Sequence, residues 1–355
     1  MNQKKKVTIQ DVARLASVSA GTVDRIIHNR GKVSPGKKQK VEDAIKQLGF
    51  KANLLARTLA LGTQHSIACL IPAVASTSRY WDIPKKGILQ ACKTYKDFGI
   101  EVELFHYDLF NVASFKEQCV KIVANNPAGV ILAPLFVNES KSFLTELQKR
   151  NIPVVLIDAD IPDTEHMAYV GPDVERSGYI AGKLMKSLLS DEGELLTLNV
   201  AKGELNAPAL KRIDKGFAEF FSANKLNHKF KIQKLIIHMA KEEEVFRELT
   251  KFYIKNPTIK GVFVTNSMAH MVSNFHLQHD LDIKVIGFDL VEENIKHIKK
   301  GGIDYIISQS PMQQGFRAVQ HLFEFFIYKK EPIKKQYVPL DIIVKENVDY
   351  YIDFH

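Results

Sequence analysis

Residues 7–27 read VTIQDVARLASVSAGTVDRII and predict two short helices joined by a tight turn. Thr8 followed three positions later by Asp11 is typical of a capped helix start, and Ser19 is a good N-cap for the second helix. Apolar residues recur at helical spacing in both segments, at Ile9, Val12, Ala13 and Ala16 and then at Val23, Ile26 and Ile27. The pattern therefore predicts an amphipathic helix pair that packs through one side.

A third helix is predicted to begin after Ser34, with Pro35 at its first position and Gly49 just beyond its end. Its apolar positions are Val41, Ala44, Ile45 and Leu48. Three short helices with a three-residue turn between the first two form a helix-turn-helix, whose second helix reads the major groove of DNA. Residues 1–52 are therefore predicted to form an all-α DNA-binding headpiece.

The positive charge of the chain is concentrated in the same region. The 355 residues carry a formal net charge of +9, from 49 Lys and Arg against 40 Asp and Glu. Residues 1–65 hold 13 of these bases and 4 of these acids, which leaves 36 of each sign in the remainder. A small basic module on a neutral body is the electrostatic pattern of a nucleic-acid reader. Phe50 is the one aromatic residue of the module, so duplex DNA is favoured over base stacking on single strands.

The composition predicts a soluble protein with more than one domain. Hydrophobic residues make up 45% of the chain, which is enough for a sizeable core. There is no apolar run of membrane-spanning length and no signal-peptide pattern, so we expect a cytoplasmic protein without membrane contact. The three cysteines, Cys69, Cys92 and Cys119, form no CxxC or Cys/His pattern. They predict small core residues, and neither a disulfide framework, a metal site nor a cofactor is indicated.

From residue 66 onward, short apolar runs alternate with helical patterns. The runs are SIACLIPA, VELFHYD, GVILAPL, VVLID, ELLTLNVA, IQKLIIH, GVFVTN, KVIGFD and DYIISQ. Buried parallel strands read as continuous apolar runs, and helices between them imply right-handed crossovers. The sequence therefore predicts a doubly wound α/β body with too many strands for one small sheet. Two subdomains that meet near residues 168–184 are the natural division.

Four of these runs end in a polar side chain, at Asp158, Asn266, Asp289 and Gln309. Open α/β sheets bind ligands outside the carboxyl ends of their strands, so these groups are predicted to converge on one cleft. A polyhydroxylated ligand needs such groups, because every buried hydroxyl must find a donor or an acceptor. A single polar side chain at such a position could simply stabilise a turn or cap a helix. Four of them at equivalent strand ends favour a binding site.

The headpiece sequence resembles the DNA-binding headpiece and hinge of the lactose-repressor (LacI/GalR) family. The resemblance covers residues 7–62 and is carried by VTIQDVARLASVSAGTVDRII, KVEDAIKQLGF and NLLARTLALG. It implies a homodimer on a palindromic operator, with hinge helices paired in the minor groove and Leu59 wedged between base pairs. Ala52 stands where the family commonly has proline, so the sequence departs from the family at the start of the hinge. The DNA-contacting positions implied are Thr8, Ser19, Ala20, Gly21, Thr22, Asp24, Arg25, Asn29, Lys37, Asn53, Ala56 and Leu59.

The second helix has few side chains with which to read bases. Ala20 and Gly21 occupy the early positions that choose operator bases in the family, so Arg25 is the best candidate for a bidentate contact with guanine. Asp24 could accept from a cytosine amino group, but orienting Arg25 or Arg30 is the favoured alternative. Phosphate contacts are expected from Lys4, Lys5, Lys6, Lys32 and Lys37.

The body resembles the periplasmic sugar-binding-protein fold that forms the sensor of this family, particularly its ribose-binding-like branch. GVFVTNSMA, KVIGFD, IISQSPMQQG and IPVVLID carry the match. The resemblance implies ligand contacts from Asp158, Asn266, Asp289 and Gln309, with Tyr80 and Trp81 stacking on a sugar ring; packing at the cleft rim is the alternative for this pair. Ala159 stands where an arginine is often found, and Arg212 matches a second arginine only loosely. A carbohydrate effector is expected, although a cyclitol, a nucleoside or another small polar metabolite would also fit.

The predicted organisation is a headpiece at 1–52, a hinge helix and linker at 53–65, a sensor and dimerisation domain at 66–345, and a tail at 346–355. The sensor is expected to divide near 160–172, with the chain crossing back near 309 and 330. The predicted function is a ligand-responsive transcriptional regulator, most simply a repressor. A sugar-binding protein without a transcriptional role and a carbohydrate-acting enzyme are the alternatives. His276 and His279 are expected on a solvated helix face and not at a metal site.

Overall fold

The computed structural model describes residues 7–27, 33–50, 64–74, 79–200, 207–238 and 241–352. The chain forms two compact units, residues 1–63 and 64–355. The predicted hinge helix and its residues Asn53, Ala56 and Leu59 lie outside the described ranges, as do Asn29, Arg30 and the lysines 4–6 and 32.

The headpiece consists of three helices, α1 (Ile9–Ala16), α2 (Ala20–Ile27) and α3 (Pro35–Leu48). The predicted cap of α1 is confirmed, because the Thr8 side chain accepts from the Asp11 amide while the Asp11 carboxylate accepts from the Thr8 amide. Pro35 opens α3, and Gly49 ends it with a φ of +59°. The helices pack through Val12, Val23 and Val41, which are fully buried.

The body is built from two sheets with helices on both faces. Its strands are, in chain order, β1 (His65–Pro72), β2 (Ile100–Tyr107), β3 (Gly129–Leu132), β4 (Val154–Ile157), β5 (Ala168–Gly171), β6 (Gly193–Val200), β7 (Phe230–Ile237), β8 (Ile259–Val264), β9 (Lys284–Phe288), β10 (Tyr305–Ser308), β11 (Lys335–Tyr337) and β12 (Asp341–Ile343). Its helices are α4 (Asp82–Tyr95), α5 (Val112–Asn125), α6 (Val137–Lys149), α7 (Val174–Leu188), α8 (Ala207–Ala223), α9 (Glu242–Lys255), α10 (Ala269–Gln278), α11 (Glu292–Lys299), α12 (Pro311–Phe323) and α13 (Asp349–Ile352). Within the described ranges, no helix is long and apolar enough to cross a membrane.

Each sheet defines one subdomain. The first has the strand order β2-β1-β3-β4-β5-β11 with every neighbouring pair parallel. The second has the order β7-β6-β8-β9-β10-β12 and is parallel except where β12 pairs antiparallel with β10. The strand order turns back at β1 in one sheet and at β6 in the other, which confirms the doubly wound α/β class.

The chain crosses from one sheet to the other three times. It leaves the first sheet after β5, returns after β10 through Ser310, and crosses last between β11 and β12. The last crossing lies at residues 338–340 instead of near 330, because a π-helical turn at Glu324–Tyr328 extends α12 and the chain first adds β11 to the first sheet. The strands β5, β11 and β12 were not among the predicted apolar runs; β11 and β12 are only three residues long and are partly exposed at the sheet edges.

In both subdomains a pair of helices crosses at glycines. A Cβ added at Gly315 of α12 would lie 2.0 Å from the Pro84 carbonyl oxygen of α4, and one at Gly216 of α8 would lie 1.9 Å from the Glu175 carbonyl oxygen of α7. No side chain fits in either gap, so the backbones of these helices touch directly. The helix pairs cover one face of each sheet; α7 lies between β5 and β6 at the first crossing, and α12 follows the second crossing.

Candidate functional site

The polar strand ends of both sheets lie at the carboxyl edge, where ligands bind in open α/β sheets. Asp158 directly follows β4, Asp289 follows β9 and Gln309 follows β10, while Asn266 comes two residues after β8. Asp158 and Asp289 both adopt a left-handed backbone, with φ of +68° and +62°. Such a conformation turns the chain sharply at the end of the strand, and Asp tolerates it better than most residues do.

Asp158 is the acidic group of the first subdomain. Its Oδ1 accepts a 2.7 Å hydrogen bond from the Tyr80 hydroxyl, and its backbone N–H donates to Oε1 of Gln314 at 2.9 Å. Burial raises the pKa of the Asp158 carboxyl, and the bond from Tyr80 lowers it in part. The nearby Tyr169 donates its hydroxyl to the Pro172 carbonyl at 2.8 Å and reaches the Asp158 carbonyl at 3.4 Å.

Asp289 is the acidic group of the second subdomain and is only 3% exposed. The amide Nε2 of Gln309 donates to both of its carboxylate oxygens, at 3.3 and 3.1 Å. Burial is the main cause that raises the pKa of Asp289 to about 8, the charge of Asp158 raises it further, and hydrogen bonds from Gln309 oppose the shift. The two carboxylates of the two subdomains therefore lie close enough to repel each other.

Gln314, which was not among the predicted site residues, joins these groups into one network. It is 1% exposed in the first turn of α12, where its Oε1 accepts from the Asp158 amide and its Nε2 donates to the Gln309 carbonyl at 2.9 Å. The network thus runs from Tyr80 through Asp158, Gln314 and Gln309 to Asp289. The signal in the sequence was the pair of glutamines after Pro311, since side chains of a first helical turn point back toward the helix start.

Tyr80 and Trp81 lie directly before α4 and are 7% and 5% exposed. Their rings meet edge to face with centroids 5.1 Å apart. Val291 of the second subdomain packs in the same apolar cluster, and Arg79 Nη1 lies 3.3 Å from Glu292 Oε2. The two subdomains therefore touch beside the carboxylates, in the arrangement of a closed cleft.

The side chain of Asn266 makes hydrogen bonds to nearby backbone groups in this structure. Its Nδ2 donates to the Val200 carbonyl at 2.7 Å, and its Oδ1 accepts from the Met268 amide at 3.3 Å. Asn199, near the end of β6, was not predicted; it is 6% exposed and donates to the Thr265 hydroxyl at 3.1 Å. Its Oδ1 is buried and has no hydrogen-bond partner within the described ranges.

Arg212 does not join the two carboxylates. Its Nε lies 3.8 Å from Glu175 Oε2, and its side chain is 38% exposed on α8. Its charge reaches only the edge of the network, where it lowers the pKa of Tyr169 slightly against the larger effect of burial.

The prediction for His276 was wrong. The side chain is buried, because α10 turns this face toward α9, and Nε2 lies 2.7 Å from the Tyr253 hydroxyl. Burial lowers the pKa of His276 to about 4, so it is a neutral core residue at neutral pH. His279 is exposed and stacks on Phe275. Among the residues that the structure describes, no group of three or more His, Cys, Asp or Glu is placed to hold a metal ion.

The headpiece presents the predicted reading surface on α2. Ser19, Ala20, Gly21 and Arg25 are exposed, while Thr22 and Asp24 are partly exposed. The Ser19 hydroxyl accepts from the Thr22 amide at 3.2 Å, and Arg25 Nε donates to the Gly21 carbonyl at 3.2 Å. A Cβ added at Gly21 would meet no heavy atom within 4 Å. The surface is therefore small and open, with one long cationic side chain lying along it; Thr8 and Lys37 are exposed at the starts of α1 and α3.

Comparison with known proteins gives matches over both units. A family model described as bacterial regulatory proteins, lacI family, matches residues 8–53, and one described as periplasmic binding protein domain matches residues 67–329. The chain is 24% identical to the ribose operon repressor of Lactococcus lactis subsp. lactis, over 96% of this chain and 98% of that protein.

Solved structures match the body. A putative LacI transcriptional regulator from Bacteroides fragilis has a TM-score of 0.75 at 29% identity, covering 81% of this chain and 100% of that one. GanP, a glucose-galactose binding protein from Geobacillus stearothermophilus, has a TM-score of 0.70 at 22% identity, covering 81% and 99%. The second likeness is one of fold.

Proposed function

Since the chain belongs to the periplasmic binding protein domain family over residues 67–329 and carries a lacI-family regulatory domain at residues 8–53, we propose that it is a repressor controlled by a small polar effector. The effector occupies the cleft between the subdomains, and the headpiece binds operator DNA. The protein acts in the cytoplasm as a homodimer, so that two copies of α2 enter successive major grooves of a palindromic site.

One observation carries this proposal: the same chain holds an exposed reading helix on a basic module and a buried polar network that spans two subdomains. A DNA-binding unit alone needs no network of this kind, and a solute-binding protein alone needs no reading helix. The relatives named as sugar-operon repressors, for ribose and for sucrose, favour a carbohydrate as the effector.

Coupling between the two functions is proposed to work through the angle between the subdomains. The network joins a strand end of each sheet to α12, which follows a crossing, so a ligand that completes it favours one angle. A hundredfold change in operator affinity requires the ligand to favour one state by about 2.7 kcal/mol, which is within normal allosteric coupling.

A carbohydrate-acting enzyme is the second candidate, because Asp158 and Asp289 form a carboxylate pair in a cleft. The regulatory relatives favour binding over hydrolysis, and the left-handed strand ends are equally suited to binding hydroxyls. Incubation of the full chain with aryl glycosides, followed by product detection, tests this reading; we expect no turnover, and steady release of the aryl group that stops in Asp158→Asn would establish the enzyme.

The direct test of the regulator is a titration of the full chain on DNA from upstream of its own gene, with and without candidate sugars. The salt concentration is set high enough to suppress nonspecific binding. We expect a sequence-selective complex whose affinity changes with the effector. The absence of any selective complex would overturn the proposal.

The same titration tests the reading surface through two variants. Arg25→Ala is expected to relax base preference by about 1–3 kcal/mol at one position, because it removes a bidentate contact. Lys37→Ala is expected to weaken binding to all sequences alike and to reduce the salt dependence. Equal effects of the two variants on base preference would contradict this division.

A further inference from the structure

The two carboxylates of the cleft have neutral hydrogen-bond donors and, within the described ranges, no cationic partner. Asp289 receives the Gln309 amide, and the partly buried Asp158 receives the Tyr80 hydroxyl. Ionised carboxylates taken out of water are costly unless they are paired. The site therefore places two like charges together without a counter-ion from the described part of the protein.

Three cations on the elements around this cleft are paired with other acids. Arg212 pairs with Glu175, Arg79 lies 3.3 Å from Glu292, and Lys335 Nζ lies 2.7 Å from Asp160 Oδ2. The residue after Asp158 is Ala159, which has no charge to offer.

The polar network, as far as the structure describes it, leaves acceptors free on its two acids. Three donors of the described residues are already used: the Tyr80 hydroxyl on Asp158, the Gln309 amide on Asp289 and the Asn266 amide on the Val200 carbonyl. Acceptor capacity remains on both carboxylates. A matching ligand must therefore bring donors, and an ammonium group is a donor at all three of its N–H bonds.

We propose that the effector is a polyhydroxylated molecule with a protonated amine, such as an amino sugar or an aminocyclitol, whose ammonium lies between Asp158 and Asp289. The inference rests on the proposed function only in taking this cleft as the effector site. The aromatic pair Tyr80 and Trp81 suits the same ligand, because aromatic faces attract cations as well as the apolar face of a ring.

The hydrogen bonds of both acids are compatible with this class of ligand. Gln309 Nε2 faces both oxygens of Asp289, and an amide donor is matched by the ionised, acceptor-only carboxylate. The Tyr80 hydroxyl likewise donates to an acceptor oxygen of Asp158. An ammonium group between the two acids favours their ionised forms, so it opposes the burial that raises the pKa of Asp289 to about 8.

The test is calorimetric titration of the full chain near neutral pH with matched ligands. Each set contains an amino sugar, its neutral parent and its N-acetyl form: glucosamine with glucose, galactosamine with galactose, and an aminocyclitol with its parent cyclitol. In at least one set we expect the amine to bind about tenfold or more tightly than both neutral members, which is about 1.4 kcal/mol. Neutral members that equal or exceed the amine in every set, or no binding of any amine at millimolar concentration, would overturn the proposal.

Three variants identify the source of the preference. Asp158→Asn and Asp289→Asn keep the side-chain shape and are each expected to reduce the preference for the amine about tenfold, whereas Asp282→Asn, at a carboxylate 91% exposed beside Lys284, leaves it unchanged. Circular dichroism checks that each variant is folded. Tyr80→Phe keeps both acids and is expected to retain the preference, so that an amine preference untouched in both Asn variants, or lost in Tyr80→Phe alone, contradicts the assignment.

The calorimetric result is independent of DNA binding. If the amine binds and operator affinity does not change, the ligand class stands and the proposed regulation fails. If selective DNA binding responds to neutral sugars alone, the regulator stands and the ligand class fails.

Discussion

Asp158 and Asp289 end equivalent strands of two similar subdomains, yet the protein surrounds them differently. Both residues have a left-handed backbone, and both accept from one neutral side chain. The donor of Asp289 is Gln309 on the adjoining strand end, whereas the donor of Asp158 is Tyr80, which lies 78 residues earlier in the chain. Asp289 is also the more deeply buried of the two. The same local design thus gives one rigid, strongly perturbed acid and one acid whose environment depends on a distant aromatic side chain.

The largest expected effect concerns the ionisation of Asp289. Its folded pKa of about 8 lies above the unfolded value, so stability is fully present below the unfolded pKa and is lost as the pH rises from about 4 through about 8. Each pKa unit corresponds to about 1.4 kcal/mol, so the loss amounts to several kcal/mol. The Asp289→Asn variant should not show this loss of stability with rising pH.

Urea unfolding of the unliganded wild type and Asp289→Asn over this pH range measures the difference in the free energy of unfolding. Buried histidines such as His276 titrate in both proteins, and their contribution cancels in the difference. Asp158→Asn is the matched control from the first subdomain. Its difference from the wild type in the free energy of unfolding should depend less steeply on pH. If the differences of the two variants from the wild type depended equally on pH, the two acids would be equally perturbed, contrary to this prediction.

This asymmetry marks what the sequence can and cannot reveal. Continuous apolar runs with polar ends predicted the strands and placed Asp158, Asp289 and Gln309 at one edge, because strand direction and sheet class fix where carboxyl ends lie. Gln314 and Asn199 were missed, since their roles depend on how α12 and β6 approach residues far away in the chain. Arg212 was matched by motif alone, and its pairing with Glu175 depends on the crossing of α7 and α8.

The second prediction asks whether the two helix pairs are equivalent. Gly315→Ala in the first subdomain and Gly216→Ala in the second each place a methyl group about 2 Å from a backbone carbonyl oxygen. Overpacking of this kind costs about 1–3 kcal/mol, and backbone contacts leave little room to relax. Thermal unfolding should show a similar loss for both variants; a variant with no loss would show that its helix pair separates easily.

The third prediction removes the distant donor of Asp158. Tyr80→Phe deletes a 2.7 Å hydrogen bond to a carboxylate, which contributes about 1.5–3 kcal/mol in proteins. The bond lowers the pKa of Asp158, so its loss should raise that pKa and shift the fall in stability to higher pH. Gln309→Met makes the corresponding change at Asp289. Proton uptake on folding, measured by calorimetry in buffers of different ionisation enthalpy, compares the two, and no change in Tyr80→Phe would show that burial alone sets the pKa of Asp158.

The smallest expected effect concerns the exposed ion pair at which the two subdomains touch. Arg79 of the first meets Glu292 of the second, but the two side chains are 57% and 55% exposed and Glu292 also binds Lys296. Exposed ion pairs contribute little because water screens them and long side chains lose entropy. Glu292→Gln should therefore change effector affinity by less than about threefold and leave the closed cleft in place. The same calorimetric titration measures the affinity. Because the substitution leaves the buried network untouched, a tenfold loss of affinity would show that the exposed ion pair, and not the network, holds the subdomains together.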